Sequence, residues 1–290
     1  MITRLVILLT APSWLLVTVA AAAGLGTILA VLVIFSGGID SATSADLHYQ
    51  CDSAIGPDPA ATEAETATTA GEPETLLPSE APTANPYAEL TIAPGETGVS
   101  DWQRTCLSAL RSAPYQLPAL RTVNTGFAAE CARQIALALV SGTGQAADGT
   151  ADPEGMTAAV ISRASAASTT ATCESTAVMG NDPSVSRAGA VVPSASVSAA
   201  GCPSNGGTAP VVLPKSVAAQ VVCGQRVDPV GVSAGDLVFW GYRDYAPTQV
   251  GIAVSATQVV VVDATNGRIS QQALPAGPDV RVKRVLGGAS

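Results

Sequence analysis

This 290-residue chain contains six cysteines and one histidine, the residue types that could supply a nucleophile and its base. A cysteine nucleophile acts as its thiolate, and it needs an imidazole nearby to take the thiol proton and to protonate the leaving group. The single imidazole is that of His48, which lies in a polar, low-complexity stretch far along the chain from most of the cysteines. The residue types therefore argue against cysteine-dependent hydrolysis of the usual kind.

Other catalytic motifs match by their letters but not by their context. Residues 231–235 read GVSAG, a Gly-x-Ser-x-Gly string, but Ser233 precedes a predicted strand, whereas a nucleophile elbow leads from a strand into a helix. Residues 142–147 read GTGQAA, which fits the dinucleotide fingerprint loosely but follows a predicted helix. No Cys/His spacing is typical of zinc, so we expect neither a metal nor a cofactor.

The acidic charge is concentrated in one segment. Between Asp40 and Ser100 there are 11 acidic residues and no Lys or Arg, whereas residues 101–290 carry 13 basic and 12 acidic residues. No basic cluster follows the spacing of a nucleic-acid backbone, so nucleic acid is not an expected partner.

The N-terminal stretch predicts a membrane anchor. Residues 5–35 contain no charged side chain, and this exceeds the roughly 20 apolar residues that span a bilayer. The stretch stays apolar after the small residues at 20–23, which favours a retained anchor over a cleaved signal peptide. We predict a stub and anchor over 1–39, with the span at 14–35. Arg4 indicates a cytoplasmic N-terminus and an extracytoplasmic remainder.

Residues 40–99 are predicted to be a disordered linker. The segment is rich in Ala, Thr, Glu and Pro and poor in aromatic residues, so it buries too little apolar surface to offset the entropy of ordering. A flexible chain of this length reaches on the order of 45 Å. It is interpreted either as a spacer or as a tether without a tuned length.

Cysteines in an extracytoplasmic protein are expected to form disulfides. Fifteen pairings are possible for six cysteines, and the sequence does not select one. Cys106 and Cys131 lie on neighbouring predicted helices, and Cys173 and Cys202 flank a Ser/Ala-rich stretch. These two pairs are the favoured candidates.

Local patterns place helices before strands. A capping box of Ser100 and Gln103 starts a predicted helix that ends before Pro114, and further helices are predicted over Gly126–Val140 and Glu154–Ala167. A long Ser/Ala-rich insertion follows at about 168–212. Short β-branched runs then predict an antiparallel sheet, with the last run as an edge strand. These runs are Leu237–Trp240, Val250–Val254, Gln258–Val262 and Val280–Val285.

Residues 213–274 carry a family resemblance. They contain, in order, LPKSVAAQ, SAGDLVFW, TQVGIAV and VVVVDATNGRI. In this order and spacing they resemble the C-terminal half of NlpC-type cell-wall peptidases, papain-like enzymes that cut peptidoglycan stem peptides. The resemblance implies an α+β, papain-like or NlpC-like module over 100–290, with helices packed on a small antiparallel sheet.

The resemblance also implies a catalytically degenerate site. In the family a catalytic His directly precedes Val-Gly-Ile, and here that position is Gln249, which can neither take a proton from a thiol nor give one to an amine. The position of the nucleophilic Cys falls at Ala158. The third polar position falls at Asp263, which is interpreted as a turn residue. An alternative is a rearranged site in which Cys131 or Cys173 is the nucleophile.

If the family's cleft persists, one group of side chains would lie near it. Tyrosines would line its wall and a guanidinium would pair with a peptide carboxylate. The groove candidates are Trp240, Tyr242, Arg243, Tyr245 and Gln249. The alternative interpretation is an ordinary polar rim on a loop. Asp236, in GDLVFW, is expected to fix a turn.

These observations together lead to one main expectation for function. The chain is expected to be a single-pass bacterial membrane protein whose extracytoplasmic, inactive NlpC-like domain binds peptidoglycan, or scaffolds or regulates an envelope complex or hydrolase. One alternative is an active peptidoglycan endopeptidase with a rearranged site. Another is a purely structural interaction domain.

Overall fold

The computed structural model describes residues 41–61, 82, 84–142, 152–173, 202 and 210–287. The chain divides into two compact units, residues 1–48 and 49–290. The described residues of the first unit, 41–48, are helical. The predicted span at 14–35 lies outside the described residues, and no helix within them is long and apolar enough to cross a bilayer.

Five α-helices lie within the described residues, and those at 101–110, 127–140 and 153–170 form close to where the sequence predicts them. The five helices are α1 (Ser41–Ile55), α2 (Asp101–Leu110), α3 (Phe127–Val140), α4 (Pro153–Thr170) and the one-turn α5 (Val217–Gln220). The predicted capping box is present, because the Ser100 hydroxyl accepts from the N–H of Gln103 and the Gln103 side chain accepts from the N–H of Ser100. Asp152 caps α4, with Pro153 at the first helical position, where its missing N–H costs nothing.

Six strands in the described part of the chain form one antiparallel sheet, in the order β1-β6-β2-β3-β4-β5. Helices plus an antiparallel sheet confirm the α+β class. The strands are β1 (Gln225–Val227), β2 (Leu237–Arg243), β3 (Ala246–Ala253), β4 (Gln258–Val262), β5 (Ile269–Ala273) and β6 (Arg281–Arg284).

The prediction that the last strand lies at the sheet edge is wrong. β6 pairs with β1 on one side and with β2 on the other, and Lys283 is fully buried. Its alternation of Val with Arg and Lys is typical of a half-exposed strand. The structure instead buries these cations, because partners from distant parts of the chain satisfy them.

The sheet has a core on each face. Phe239, Val250 and Ile252 pack in one cluster with residues of α3 and α4, and this face is the helix side. Val238 and Ala253 belong to a second cluster on the opposite face. Loop residues pack against that second cluster, among them Leu274 and Val280 from the seven-residue connection between β5 and β6.

The prediction of a disordered linker from residue 40 is wrong at both ends of the segment. Residues 41–55 form α1, and Cys51 in α1 is bonded to Cys106 in α2. At the other end, Asn85 Nδ2 donates to the carbonyl of Ala113 at 3.3 Å. A disulfide and buried contacts, which composition does not reveal, offset the entropy of ordering. Residues 62–81 lie outside the described residues.

The predicted insertion at about 168–212 is described only at its ends. Residues 168–170 complete α4, and Cys202 is buried in the helix-side core. Residues 174–201 and 203–209 lie outside the described residues.

Candidate functional site

Gln249, which the sequence resemblance places at a catalytic histidine position, lies on the sheet face opposite the helices. It pairs with Trp240 across β2 and β3, and the ladder is regular from Leu237↔Ile252 to this pair. Since side chains alternate along a strand and Val250 faces the helix side, Gln249 and Trp240 face the other way. Both are partly exposed.

Ala158, at the expected nucleophile position, lies on α4 and packs against the helix-side core. Gln249 lies on the opposite face of the sheet, so these two positions do not share one face. The expected pair of catalytic positions is therefore not assembled across a common cleft.

A buried hydrogen-bond network occupies the start of α4. Thr157 Oγ1 donates to Gln220 Oε1 at 2.9 Å, and both side chains are fully buried. Gln220 Nε2 donates to the carbonyls of Glu154 and Pro214, each at 2.9 Å. Gln220 thus joins the first turn of α4 to the segment before the sheet. Gln220 ends the LPKSVAAQ motif, but the motif alone does not predict this role.

Tyr242, a predicted groove residue, is half-buried against the helix-side core, and its hydroxyl oxygen is fully buried. A Cβ on Gly56 would lie 2.2 Å from Tyr242 Cε1, so the Tyr242 ring packs directly on the backbone after α1. Gly241 has a φ of 67°, which breaks the alternation between Trp240 and Tyr242 and places them against different cores. Within the described residues, the Tyr242 hydroxyl is the one buried side-chain polar atom without a hydrogen-bond partner. Burial raises the pKa of Tyr242 above its ordinary value.

The remaining groove candidates lie at a hairpin tip. Arg243 pairs with Ala246, and the two residues between them, Asp244 and Tyr245, have φ values of 48° and 63°. Two left-handed residues in a two-residue loop are typical of a type I′ turn. The five groove candidates therefore divide among the non-helical face, the buried core and the tip, and they do not line one groove.

All six cysteines are paired, in a pattern that differs from the favoured one. The bonds are Cys51–Cys106, Cys131–Cys173 and Cys202–Cys223. The favoured pairs, Cys106–Cys131 and Cys173–Cys202, are wrong. Neighbouring predicted elements do not reveal the bond from Cys51, which lies on α1, to Cys106 on α2. Three disulfides indicate an oxidising, extracytoplasmic environment.

Asp263 is a turn residue at the end of β4, as predicted. Its carboxylate accepts from the N–H of Thr265 at 2.8 Å and from Asn266 Nδ2 at 2.8 Å. Hydrogen bonds from Thr265, followed by those from Asn266, lower the pKa of this carboxyl group. The exposed Asp263 carboxylate is thus bonded within its own turn and not to an imidazole.

Asp236 fixes a turn, as expected, and it also holds a buried ion pair. Its Oδ2 accepts from the N–H of Ser233 at 2.9 Å, and its Oδ1 lies 2.7 Å from Arg284 Nε. The Ser233 hydroxyl donates to Asp236 and accepts from Arg284 Nη2 and from the N–H of Asn124. Ser233 is thus a fully engaged structural residue rather than a nucleophile.

A second buried charge cluster joins α1 to β1 and β6. Asp52 is paired with both Arg226 and Arg281, and the side chains of these three residues are 11%, 20% and 5% exposed. Although burial alone would raise it, the two guanidinium groups lower the pKa of Asp52 below its ordinary value. Fully buried Lys283 donates to Gln116 Oε1 at 2.9 Å. No group of three metal-ligating side chains occurs in the described parts of the chain.

In comparisons with known proteins, the chain matches no family model, no curated protein and no solved structure. The internal geometry of the chain is therefore the basis for assigning a function.

Proposed function

We propose that this chain is a membrane-anchored, extracytoplasmic protein of the bacterial cell envelope with an inactive NlpC-like module. The module binds peptidoglycan, or it scaffolds or regulates an envelope complex or hydrolase. The observation that carries this proposal is the closure of all six cysteines in disulfides. A cysteine peptidase needs a free thiolate, and a disulfide sulfur cannot serve as one.

The pairing also argues against a rearranged peptidase site. Cys131 and Cys173, the two alternative nucleophiles, are bonded to each other. Opening that bond would restore a thiol, but Gln249, at the position that the resemblance implies for the base, cannot transfer a proton. General acid–base catalysis typically contributes 10²- to 10⁴-fold, so its loss alone removes most turnover.

The anchor and the location rest on the sequence and on the disulfides. The uncharged stretch at 5–35 has the length of a span, and three disulfides fit the oxidising side of a membrane. The resemblance over 213–274 supports an envelope setting, because the family acts on cell-wall peptides.

Peptidoglycan digestion tests the absence of catalysis. The full-length chain in detergent is incubated with purified peptidoglycan, and soluble muropeptides are measured with and without a thiol-alkylating reagent. We expect no release. The matched variant Gln249→His should also release nothing, because restoring the imidazole supplies no thiol. Muropeptide release that alkylation abolishes would overturn the proposal.

A purely structural interaction domain is the second candidate. It is favoured by the dispersal of the groove candidates, with Tyr242 packed against the helix-side core and Arg243 and Tyr245 at a hairpin tip. Sedimentation with insoluble peptidoglycan separates the two candidates. Binding that Trp240→Ala weakens and Tyr245→Ala retains would place the wall contact on the non-helical face. No binding at all would support the interaction domain.

A further inference from the structure

The strand β5 has one paired edge and one open edge. On the paired side, all five of its residues align with β4, from Ile269↔Val262 to Ala273↔Gln258. On the other side, no strand among the described residues pairs with it, since β5 ends the sheet order. Four of its five residues are exposed.

The opposite edge of the sheet is protected, which makes the contrast informative. β1 is only three residues long, and Leu120 lies along its outer side. The N–H of Leu120 donates to the carbonyl of Arg226 at 2.9 Å, and its carbonyl accepts from the N–H of Asp228 at 2.8 Å. Short length and a covering segment are two devices by which proteins blunt a sheet edge.

Within its own five residues, ISQQA, β5 carries no charge, proline or bulge that would protect a sheet edge. An uncharged, regular, exposed edge is a template for another strand. Natural proteins that must stay monomeric usually interrupt such an edge.

The hydrogen-bond pattern fixes which groups of β5 point outward. At one end Asp263 N–H donates to the carbonyl of Arg268, and at the other Leu274 N–H donates to the carbonyl of Thr257. Bonded and non-bonded pairs alternate in an antiparallel ladder, so residues 268, 270, 272 and 274 bond inward to β4. The backbone groups of Ile269, Gln271 and Ala273 therefore point away from the sheet.

We propose that the outer edge of β5 pairs, antiparallel, with the same edge of a second copy of this chain. A two-fold axis at Gln271 sets Gln271 opposite Gln271 and Ile269 opposite Ala273 of the second copy. This register uses the outward N–H and C=O groups of all three residues on both chains. If the register shifts by two residues in either direction, the outward groups of one of these three residues lose their partner.

The composition of β5 suits a second copy in particular. Self-pairing usually places like charges together, which destabilises a strand pair. Here Gln meets Gln, Ser meets Gln and Ile meets Ala, and just outside the ladder Arg268 meets Leu274. Two five-residue strands bury far less than the roughly 1,200 Å² of a stable interface, so the dimer is weak in solution. The proposed membrane anchor would strengthen it by raising the effective concentration.

Disulfide trapping in the full-length chain tests the register. In the proposed dimer, Gln271→Cys gives one thiol on each chain, and the Cα atoms of these two cysteines lie about 5.5 Å apart across the axis. A disulfide can span this distance. Gln272→Cys, the matched control, places the Cα atoms about 8 Å apart, beyond the range that a disulfide spans. We expect a covalent dimer from the first variant and little from the second. Equal cross-linking of both variants, or none, would overturn the proposal.

Proline substitution tests the hydrogen bonds themselves. Gln271→Pro removes one outward N–H and keeps the ladder to β4, so it should abolish the concentration-dependent dimer measured by sedimentation with little loss of thermal stability. Gln272→Pro removes an inward N–H and should lower thermal stability instead. Dimerisation unchanged by Gln271→Pro overturns the proposal. So does a monomeric chain whose residue 271 cross-links to a different protein.

Discussion

At the scale of single residues, Asp52 is one carboxylate that compensates two buried guanidinium groups. Arg226 comes from β1 and Arg281 from β6, so Asp52 connects α1 to two neighbouring strands. Removing one partner of a buried ion pair costs more free energy than forming the pair contributes, because the charge that remains stays desolvated.

Replacing this carboxylate should therefore be severe. Asp52→Asn leaves Arg226 and Arg281 buried without a counter-charge, and we expect a loss of about 3–5 kcal/mol in the free energy of unfolding. The measurement is urea denaturation of residues 41–290 with disulfides intact. Glu130→Gln, which breaks the exposed pair with Arg133, is the control and should cost at most about 1 kcal/mol. Equal effects of the two variants would contradict this account.

Lys283 gives the fold a pH dependence. Burial, followed by repulsion from Arg226, lowers the pKa of Lys283 to about 7 from its ordinary 10.5. Between these two values the unfolded chain holds a proton that the folded chain does not. Stability therefore rises with pH through this window and is lost as the pH falls towards 7.

A pair of melting series tests this assignment. The melting temperature of the parent chain should rise between about pH 7 and pH 9, whereas that of Lys283→Met should stay flatter, because methionine does not titrate. The window stops below the ordinary pKa of tyrosine, since the buried hydroxyl of Tyr242 favours its neutral form and lowers stability at higher pH. Parallel slopes in the two chains would contradict the assignment.

At the scale of elements, β3 and β4 pack too closely for a side chain at Gly251. A Cβ there would lie 2.7 Å from Val259 Cγ2 and 2.8 Å from the carbonyl of Val260. The glycine in the Val-Gly-Ile motif thus has a packing reason that needs no catalytic role.

This close approach predicts a clear effect of adding one methyl group. Gly251→Ala should cost about 1–3 kcal/mol, because strand backbone and two valines must shift to accept it. Gly98→Ala, at a site where the nearest atom is 3.7 Å away, should change stability by less than about 0.5 kcal/mol. Chemical denaturation of both variants makes the comparison. A neutral Gly251→Ala would show that the strands separate easily.

Local sequence patterns predicted where helices and strands form. Contacts between distant residues determined which of their side chains are buried and where each strand lies in the sheet. The Ser100 capping box and the β-branched run at Gln258–Val262 depend on nearby residues, and both elements formed where predicted. β6 was placed at an edge because its alternation of Val and basic residues cannot reveal Asp52, Gln116 or Asp236, which lie 48 to 229 residues away. Likewise, the sequence of β3 does not reveal which face of the sheet the Gln249 side chain occupies.

At the largest scale, most of the acidic segment lies between Cys51 and Cys106, which are bonded to each other. In addition, Trp102 Nε1 donates to the carbonyl of Gly56 at 3.0 Å. Composition predicted a free tether, because a disulfide partner 55 residues away leaves no trace in a sliding window.

Site-specific proteolysis distinguishes a closed loop from a tether. A protease site placed within 62–81 should give one band on a non-reducing denaturing gel and two after reduction, because Cys51–Cys106 spans the cut. The matched control is a site within 174–201, which no disulfide spans, and it should give two bands in both conditions. Two bands without reduction from the first cut would contradict the pairing.

The three disulfides each join cysteines that are consecutive in the sequence, 55, 42 and 21 residues apart. In a chain threaded outward from its N-terminus, every bond can therefore close as soon as its second cysteine emerges. No cysteine has to wait for a partner beyond the next cysteine in the sequence. No disulfide has to be reopened before the correct one can form. If the bonds close in this order, maturation needs an oxidant but no isomerisation of an earlier bond.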